Sequence, residues 1–313
     1  MLTIKPLGQH TLASDFLRTY KKTVRDTQFM ERTSPGRVLS LRPSQMPLCP
    51  MKMFVNRATY GMWTPMEFGM AYYTKVGTTV HEILQNFLCQ SGRFLANYKC
   101  RECHKWYKMS YKWECCGFPC EYHEVDINYK GVVGHIDAIY KDDQGRLWIL
   151  DFKTTSVAQA PKKKRDPGVV YREQVETYAV LTELQHKIKI AGYSDAFVVR
   201  DNPMKQDPVT WCEPLTDKKR KQVRVRLTKY KKMHNAYLEA STKKEALALF
   251  DYGRCADPWC RTCMQKDDDR LKKELVRAYE FGKKRGNVPI KAMAEREILK
   301  LKEIGYVHQG TNA

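Results

Sequence analysis

The sequence predicts an α/β fold in which a central sheet is flanked by helices. Three observations predict this class: an apolar helical rhythm over residues 77–88, two strand-like segments joined by a turn at residues 142–145, and a helix followed by a strand between residues 169 and 200. The spacing of the apolar residues and the turn residues between segments give the element order α–β–β–β–α–β. With 42% hydrophobic residues, the 313-residue chain can bury one large core or two modest ones.

The first predicted helix brings a histidine next to an apolar stripe. The stripe consists of Val80, Ile83, Leu84, Phe87 and Leu88. His81 lies beside it, where a neutral imidazole can serve as a metal ligand. A histidine in such a position is more often structural, so His81 alone does not predict a metal site.

Two acidic residues lie on neighbouring strand segments, and the second is followed by a lysine. Side chains alternate along a strand, so Asp151 and Lys153 share one face while Phe152 points into the core. With Asp137, two carboxylates on adjacent strands can hold Mg²⁺, and a lysine beside them can position or activate a water. The pattern indicates a metal-dependent phosphodiesterase, although charged residues often end strands. The three strands are expected over residues 122–130, 132–140 and 146–153.

A second helix is expected over residues 169–190, after a basic loop, and a fourth strand over residues 196–200. Gln174 and Tyr178 are four residues apart, so they lie on one face of this helix. An amide and a phenol on one face suit contact with a phosphate backbone or with an attacking water. Such a pair is also common on ordinary helix surfaces.

Taken in order, these motifs resemble those of the RecB-like branch of the PD-(D/E)XK nuclease superfamily. The motifs are Gly-x-x-x-His, Gly-His-Ile-Asp, Asp-x-Lys and Gln-x-x-x-Tyr, and the resemblance covers residues 40–265. It implies a restriction-endonuclease-like core with a mixed central sheet. The metal ligands that it implies are His81, Asp137, Asp151 and the backbone carbonyl of Phe152. The catalytic lysine is then Lys153, and Gln174 and Tyr178 align the DNA and this lysine.

The resemblance also implies an activity and partners. It implies hydrolysis of DNA phosphodiesters with Mg²⁺ or Mn²⁺, often as an exonuclease, in replication, recombination or repair. DNA is the expected partner, and other replication or recombination proteins are further candidates. Two alternatives are a non-catalytic DNA-binding or recombination-accessory protein on a nuclease fold, and a zinc-ribbon RNA-binding module. The second alternative leaves the ordered acidic, lysine and Gln/Tyr motifs unexplained.

The charge of the chain favours a polyanionic partner. Lys and Arg number 55 against 35 Asp and Glu, for a net charge of +20. Nine of the fifteen residues from 218 to 232 are basic, which is typical either of a solvated helix face or of a phosphate-binding face. The run at 161–165 suits a nuclear localisation signal or, as we favour, a DNA-holding loop. The predicted DNA contacts are Lys162, Lys163, Lys164, Arg165, Lys218, Lys219, Arg220 and Lys221.

Five of the eleven cysteines fall between residues 100 and 120, a clustering typical of a metal site. Two cysteine pairs separated by about a dozen residues fit a four-thiolate zinc ribbon over residues 98–121. Such a structural zinc ion lets a small insert fold without a core of its own. The predicted ligands are Cys100, Cys103, Cys120 and Cys116, with Cys115 as the alternative to Cys116 and His104 and His123 as possible substitutes.

A second cysteine group has one member upstream of the nuclease motifs and three downstream. Some RecB-like nucleases, including AddB-type and CRISPR adaptation nucleases, hold a [4Fe–4S] cluster with this one-plus-three arrangement. The resemblance therefore implies such a cluster, although the order of short and long gaps is reversed here, and zinc is the alternative. The residues concerned are Cys49, Cys255, Cys260 and Cys263.

The predicted organisation places an N-terminal lead-in at residues 1–45, the nuclease domain at 46–265 with the insert inside it, and a helical tail at 266–313. The sequence has no apolar run near the roughly 20 residues of a membrane span. The N-terminal residues also lack a signal-peptide core, so an intracellular, cytoplasmic protein is expected, with a nuclear location as the alternative.

Overall fold

A computed structural model describes residues 18–19, 40–46, 68–201 and 207–239, with residues 276, 279, 280, 283, 284 and 295. The chain divides into two compact units, one of residues 40–48 and 74–236, the other of residues 1–39, 49–73 and 237–313. The candidate site residues discussed below lie in the first unit. Cys49, Cys255, Cys260 and Cys263 lie outside the described residues, as do almost all of the expected helical extensions.

Between residues 68 and 239, the described residues form four α-helices, one short 3-10 helix and eleven strands. The helices are α1 (Phe68–Leu88), α2 (Ala160–Arg165), α3 (Val169–His186) and α4 (Asp217–Glu239), and the 3-10 helix is Cys89–Ser91. The strands are β1 (Phe94–Lys99), β2 (Trp106–Ser110), β3 (Glu114–Cys115), β4 (Phe118–Pro119), β5 (Glu121–His123), β6 (Val125–Tyr129), β7 (Val132–Ile136), β8 (Ala138–Lys141), β9 (Leu147–Thr155), β10 (Ile190–Val199) and β11 (Val209–Pro214).

Seven strands form a mixed central sheet, which confirms the predicted α/β class. The order is β11-β10-β9-β8-β1-β2, and β5 also pairs with β1. β9 and β10 run parallel, and the other pairs of this sheet are antiparallel. Parallel neighbours need a crossover connection, which α2 and α3 provide, and α3 packs against β9 and β10. β6 pairs with β7, and β3 with β4, as separate two-stranded ribbons.

The predicted hairpin is present between β8 and β9, which pair antiparallel. Its turn is organised by one carboxylate, because Asp142 accepts hydrogen bonds from the Arg146 guanidinium at 2.7 Å and from the Trp148 indole at 2.9 Å. Gly145 has a φ of 75°, a left-handed conformation that glycine adopts without strain. The turn therefore fixes the register that brings the acidic residues of the two strands together.

Several boundaries differ from the sequence prediction. The strands expected over residues 122–130 and 132–140 are interrupted at Glu124 and Asp137, so that each contributes one strand to the central sheet and one to the β6–β7 ribbon. The helix expected to reach residue 190 ends at His186, because Lys187 adopts a left-handed conformation with a φ of 58°. The following strand begins at Ile190 rather than at residue 196, since Gly, Ser and Asp in its first half conceal its β character. The basic loop is the short helix α2, which has Pro161 in its first turn, where proline is tolerated.

The core joins the cysteine-rich insert to the sheet. One buried cluster contains Tyr98, Cys100 and Cys120 from the insert region together with Phe152 of β9. Because β2 and β5 both pair with β1, the insert extends the central sheet instead of standing apart from it. Among the described residues, no helix is both long and apolar enough to cross a membrane.

Candidate functional site

Asp137 occupies the single residue between β7 and β8, where the regular strand is interrupted. Its backbone carbonyl accepts hydrogen bonds from the Tyr122 hydroxyl at 2.7 Å and from Gln85 Nε2 at 3.2 Å. Its carboxylate Oδ2 accepts the Phe152 backbone N–H at 2.7 Å. These contacts fix both the main chain and the side chain of Asp137.

Three side chains with metal-binding atoms converge at this point. One ligand atom from each of His81, Glu124 and Asp137 lies within 4.8 Å of the others. His81 Nδ1 is 3.4 Å from Asp137 Oδ2, and Gln85 donates a hydrogen bond to Glu124 Oε1 at 3.0 Å. Two carboxylates and an imidazole fit a divalent cation such as Mn²⁺, so the donor set is chemically suitable.

Electrostatics at these three residues favour binding of a cation. Burial and the charge of Lys153 lower the pKa of His81, which keeps the imidazole neutral and able to bind a metal. Burial and the neighbouring Asp151 raise the pKa of Asp137 well above its usual range. Lys153 is the one cationic side chain that acts on Asp137 among the causes of this shift, and a divalent cation would add further positive charge beside the two carboxylates.

Asp151 and Lys153 form an ion pair on one face of β9, as the strand alternation predicted. The carboxylate of Asp151 also accepts a hydrogen bond from Gln174 Nε2 at 3.2 Å. Burial would lower the pKa of Lys153, but Asp151 and Asp137 outweigh it and the pKa is raised. In this arrangement Asp151 is engaged by Lys153 and Gln174, and it is not one of the three convergent ligands.

Phe152 lies between Asp151 and Lys153 in β9, and its side chain points to the opposite face of the sheet. It is 2% exposed, and its ring contacts His81 with centroids 6.0 Å apart. Its backbone contributes to the site, since its N–H donates a hydrogen bond to Asp137 Oδ2.

Tyr178 packs against the strand that leads to Asp137. A Cβ atom added to Gly134 would lie 2.7 Å from the Tyr178 hydroxyl and 2.8 Å from its Cε1. Only glycine therefore allows α3 to approach β7 so closely. The motif residues Gln174 and Tyr178 thus hold Asp151 and the β7 main chain, respectively.

Sequence analysis missed three residues of this site. Glu124 stands alone between β5 and β6 and belongs to no recognisable motif. Gln85 was detectable in principle, because it follows His81 by four residues and so shares its helix face. Asp195 lies beside Asp151 in the register of β10 and β9 and is 0% exposed. Burial and Asp151 raise its pKa to about 8.

A second group of side chains is the thiol cluster, formed by Cys100, Cys103, Cys115 and Cys116. Their sulfur atoms lie within 4.8 Å of one another, with 3.8 Å between Cys103 and Cys115 and 3.7 Å between Cys115 and Cys116. Zinc–sulfur bonds of about 2.3 Å place tetrahedral sulfur atoms about 3.8 Å apart, so the cluster fits a zinc ion.

Backbone geometry explains how two adjacent cysteines take part. Cys116 and Gly117 have φ values of 55° and 79°, which turns the chain tightly between β3 and β4. The Cys103 N–H points at Cys100 Sγ, 3.4 Å away, and lowers the pKa of Cys100 to about 7. Cys120, expected as a ligand from the sequence, is 2% exposed in the buried cluster and is not part of the thiol cluster.

The eight predicted DNA-contacting residues fall into two sets. Three of them make contacts within the protein: Lys163 donates to the Pro167 carbonyl at 2.7 Å, Lys219 pairs with Glu213, and Arg220 pairs with Glu183 at 2.8 Å. The side chains exposed to solvent are Lys162, Lys164, Arg165, Lys218 and Lys221.

Comparisons with known proteins assign the chain to a family. A model of the PD-(D/E)XK nuclease superfamily matches residues 79–267, a span that contains every residue of the candidate active site. The crystal structure of SSO0001 is similar to this chain with probability 1.00 and a TM-score of 0.36, at 12% identity, over 66% of this chain and 82% of that chain. No curated protein sequence matches this chain significantly.

Proposed function

Because this chain belongs to the PD-(D/E)XK nuclease superfamily, a group of metal-dependent nucleases, we propose that it is a deoxyribonuclease that uses Mg²⁺ or Mn²⁺. We further propose that it acts as an exonuclease in replication, recombination or repair. One observation carries the proposal: a half-buried group of His81, Glu124 and Asp137 lies next to the Asp151–Lys153 pair. A non-catalytic role would not require a lysine and four potential metal ligands to be held together at the cost of burying their charges.

The proposed metal ligands are His81, Glu124 and Asp137, joined by Asp151 and the Phe152 carbonyl. A divalent cation bound there neutralises charge on the scissile phosphate and lowers the pKa of a bound water. Lys153 presents an ammonium group on the same side of β9 as Asp151, where it can stabilise the negative charge that develops on the phosphate. Gln174 keeps the Asp151 carboxylate oriented toward this point.

The surrounding charge suits a nucleic-acid substrate. Lys162, Lys164 and Arg165 are exposed on α2, directly after β9, and Lys218 and Lys221 are exposed on α4. Phosphate contacts of this kind give affinity without sequence preference. We propose that they hold the DNA backbone, within a nuclease domain spanning residues 46–265.

Two further metal centres belong to the proposal. The thiol cluster holds a structural zinc ion in the insert of residues 98–121. Cys49, Cys255, Cys260 and Cys263 hold a [4Fe–4S] cluster, or zinc in its place, by the one-plus-three order of the sequence. Visible absorbance and iron analysis of anaerobically purified protein distinguish these two occupants.

The test of the main proposal is digestion of end-labelled linear DNA and of circular DNA, each single- and double-stranded, with Mn²⁺. Wild-type protein is compared with Asp151→Ala and with a control, Asp143→Ala, whose carboxylate lies in the β8–β9 turn and is 85% exposed. Cleavage by the wild type and the control, lost in Asp151→Ala, supports the proposal. Attack on linear DNA alone supports exonuclease action, while attack on circles indicates an endonuclease. Binding without cleavage of any substrate would favour the accessory-protein alternative.

A further inference from the structure

Asp195 is a buried carboxylate that the proposed mechanism does not use. Its side chain is 0% exposed and lies against the Asp151 carboxyl, and neither of its oxygens accepts a hydrogen bond from a donor within the described part of the chain. An ionisable group buried without a partner is costly, so such a residue in a central strand calls for a compensating role. A hydrophobic residue would fill the same position in β10 without that cost.

Its neighbours connect Asp195 to the active site. It is the register partner of Asp151 in the parallel pairing of β9 and β10. Lys153 and Lys163 are the two cations that act on it electrostatically. Lys163 is already engaged, since its ammonium donates to the Pro167 carbonyl at 2.7 Å and lies 4.6 Å from the centre of the Tyr171 ring. Lys153 is held by Asp151.

The ion pair between Lys153 and Asp151 competes with metal binding at Asp151. The carboxylate oxygen of Asp151 that contacts Lys153 is also an oxygen that a divalent cation would bind. If the cation binds Asp151, the Lys153 ammonium loses its partner inside a largely buried site, which is unfavourable. A second carboxylate within reach removes this penalty.

We propose that Asp195 is a positioning residue that receives the Lys153 ammonium when a divalent cation binds Asp151. This inference rests on the proposed function, in which Asp151 is a metal ligand. Lys153 moves from one carboxylate to its neighbour on the next strand, so it stays charged, buried and beside the substrate phosphate.

The experiment measures Mn²⁺ affinity by calorimetry, and cleavage kinetics, for wild type and Asp195→Asn. Without Asp195, Lys153 stays on Asp151 and competes with the metal. We expect Mn²⁺ affinity and kcat each to fall by about 10- to 100-fold, the range for residues that orient metal ligands, while KM for DNA stays within about twofold.

A double-mutant cycle tests whether Asp195 affects Mn²⁺ affinity through Lys153. In a Lys153→Met background, Asp195→Asn should change Mn²⁺ affinity by no more than about twofold, because no ammonium competes for Asp151. In a Lys163→Met background, Asp195→Asn should still cause the full loss of Mn²⁺ affinity. An equal loss in the Lys153→Met background, or no loss in the wild-type background, overturns the proposal.

A crystal structure of the wild-type protein with Mn²⁺ provides a test that does not depend on the folding of any variant. Lys153 Nζ should lie within hydrogen-bond distance of Asp195 and away from Asp151, and the opposite arrangement overturns the inference. The two proposals fail differently. Wild-type protein that neither binds Mn²⁺ nor cleaves DNA defeats the proposed function, whereas normal wild-type behaviour with an unaffected Asp195→Asn variant defeats only the role of Asp195.

Discussion

At the scale of single residues, the active site depends on positions whose main chain contributes as much as their side chains. Asp137 interrupts the strand, and its carbonyl is held by Tyr122 and Gln85 while its carboxylate accepts the Phe152 N–H. The orientation of the Asp137 carboxylate is therefore fixed before a metal ion binds. Such preorganisation matters because a metal ligand that must reorient loses affinity.

Glu124 is the proposed metal ligand whose contribution is most directly testable. Replacing Glu124 by Gln removes one charge from the group of three and keeps the side-chain volume. We expect Mn²⁺ affinity to fall by about 10-fold or more and cleavage to fall with it, because hard divalent cations prefer carboxylate ligands. Mn²⁺ calorimetry checks the affinity. Glu121→Gln, three residues away and 51% exposed, should behave as wild type. Equal affinities in both variants would remove Glu124 from the metal site.

Substitution by alanine is expected to have opposite effects on stability at two glycines of the sequence motifs. Gly134→Ala places a Cβ 2.7 Å from the Tyr178 hydroxyl, so we expect a loss of about 1–3 kcal/mol in the free energy of unfolding. At Gly77, in α1, the nearest atom would be Thr154 Oγ1 at 3.8 Å, an ordinary contact. Gly77→Ala should therefore be neutral or stabilise the protein by up to about 1 kcal/mol. Urea unfolding of the two variants measures both values, and a stable Gly134→Ala variant would contradict the packing described.

The sequence predicted the residues that occur in ordered motifs and missed those that act through tertiary contact. Asp137, Asp151, Lys153, Gln174 and Tyr178 stand at positions that strand alternation and helix periodicity relate to one another, and the structure brings them together. Glu124 joins the site across the β6–β7 hairpin, where Glu124 and Asp137 directly flank the paired residues Val125 and Ile136. Asp195 joins it because β10, which is distant in sequence, pairs with β9. No local pattern reports such pairing, and the Gly and Asp residues at the start of β10 even conceal the strand.

At the scale of elements, the cysteine-rich insert is continuous with the central sheet. β2 and β5 pair with the two sides of β1, and the residue that follows β5 is Glu124. Tyr122 of β5 also binds the Asp137 carbonyl. The thiol cluster therefore stabilises strands that carry active-site contacts. The sequence located this insert but could not decide which of its cysteines converge, since a tight turn at residues 116–117 determines that.

Zinc content distinguishes the thiol cluster from the ligand set expected from sequence. Cys115→Ser should lose the bound zinc, because its sulfur lies 3.8 Å and 3.7 Å from the sulfur atoms of Cys103 and Cys116. Cys120→Ser should retain one equivalent, although a polar atom in the buried cluster costs stability. Metal analysis after gel filtration measures both. Zinc retained in Cys115→Ser and lost in Cys120→Ser would restore the set of Cys100, Cys103, Cys116 and Cys120.

At the scale of the whole molecule, the chain carries a net charge of +20, although the candidate site is built mainly from acidic residues. Part of that excess is used internally: Arg220 pairs with Glu183, and Arg226 with Glu176 at 2.8 Å, which docks α4 onto α3. The remaining exposed lysines and arginines create the positive surface. A long-range attraction of this kind concentrates a polyanion near the site and weakens as salt screens it.

The salt dependence of DNA binding distinguishes the lysines that stabilise the fold from those that contact the DNA. Replacing both Lys162 and Lys164 by Ala, which are exposed on α2, removes two candidate phosphate contacts. We expect weaker binding and a slope of log affinity against log salt that is shallower by about 1.8 for duplex DNA, because each contact releases about 0.9 counterion. Fluorescence anisotropy with Ca²⁺ in place of Mn²⁺ measures this. Lys219→Ala, which breaks an internal pair with Glu213, should leave the slope unchanged and instead lower the stability of the fold. An unchanged slope in the double variant would show that DNA follows another path across the surface.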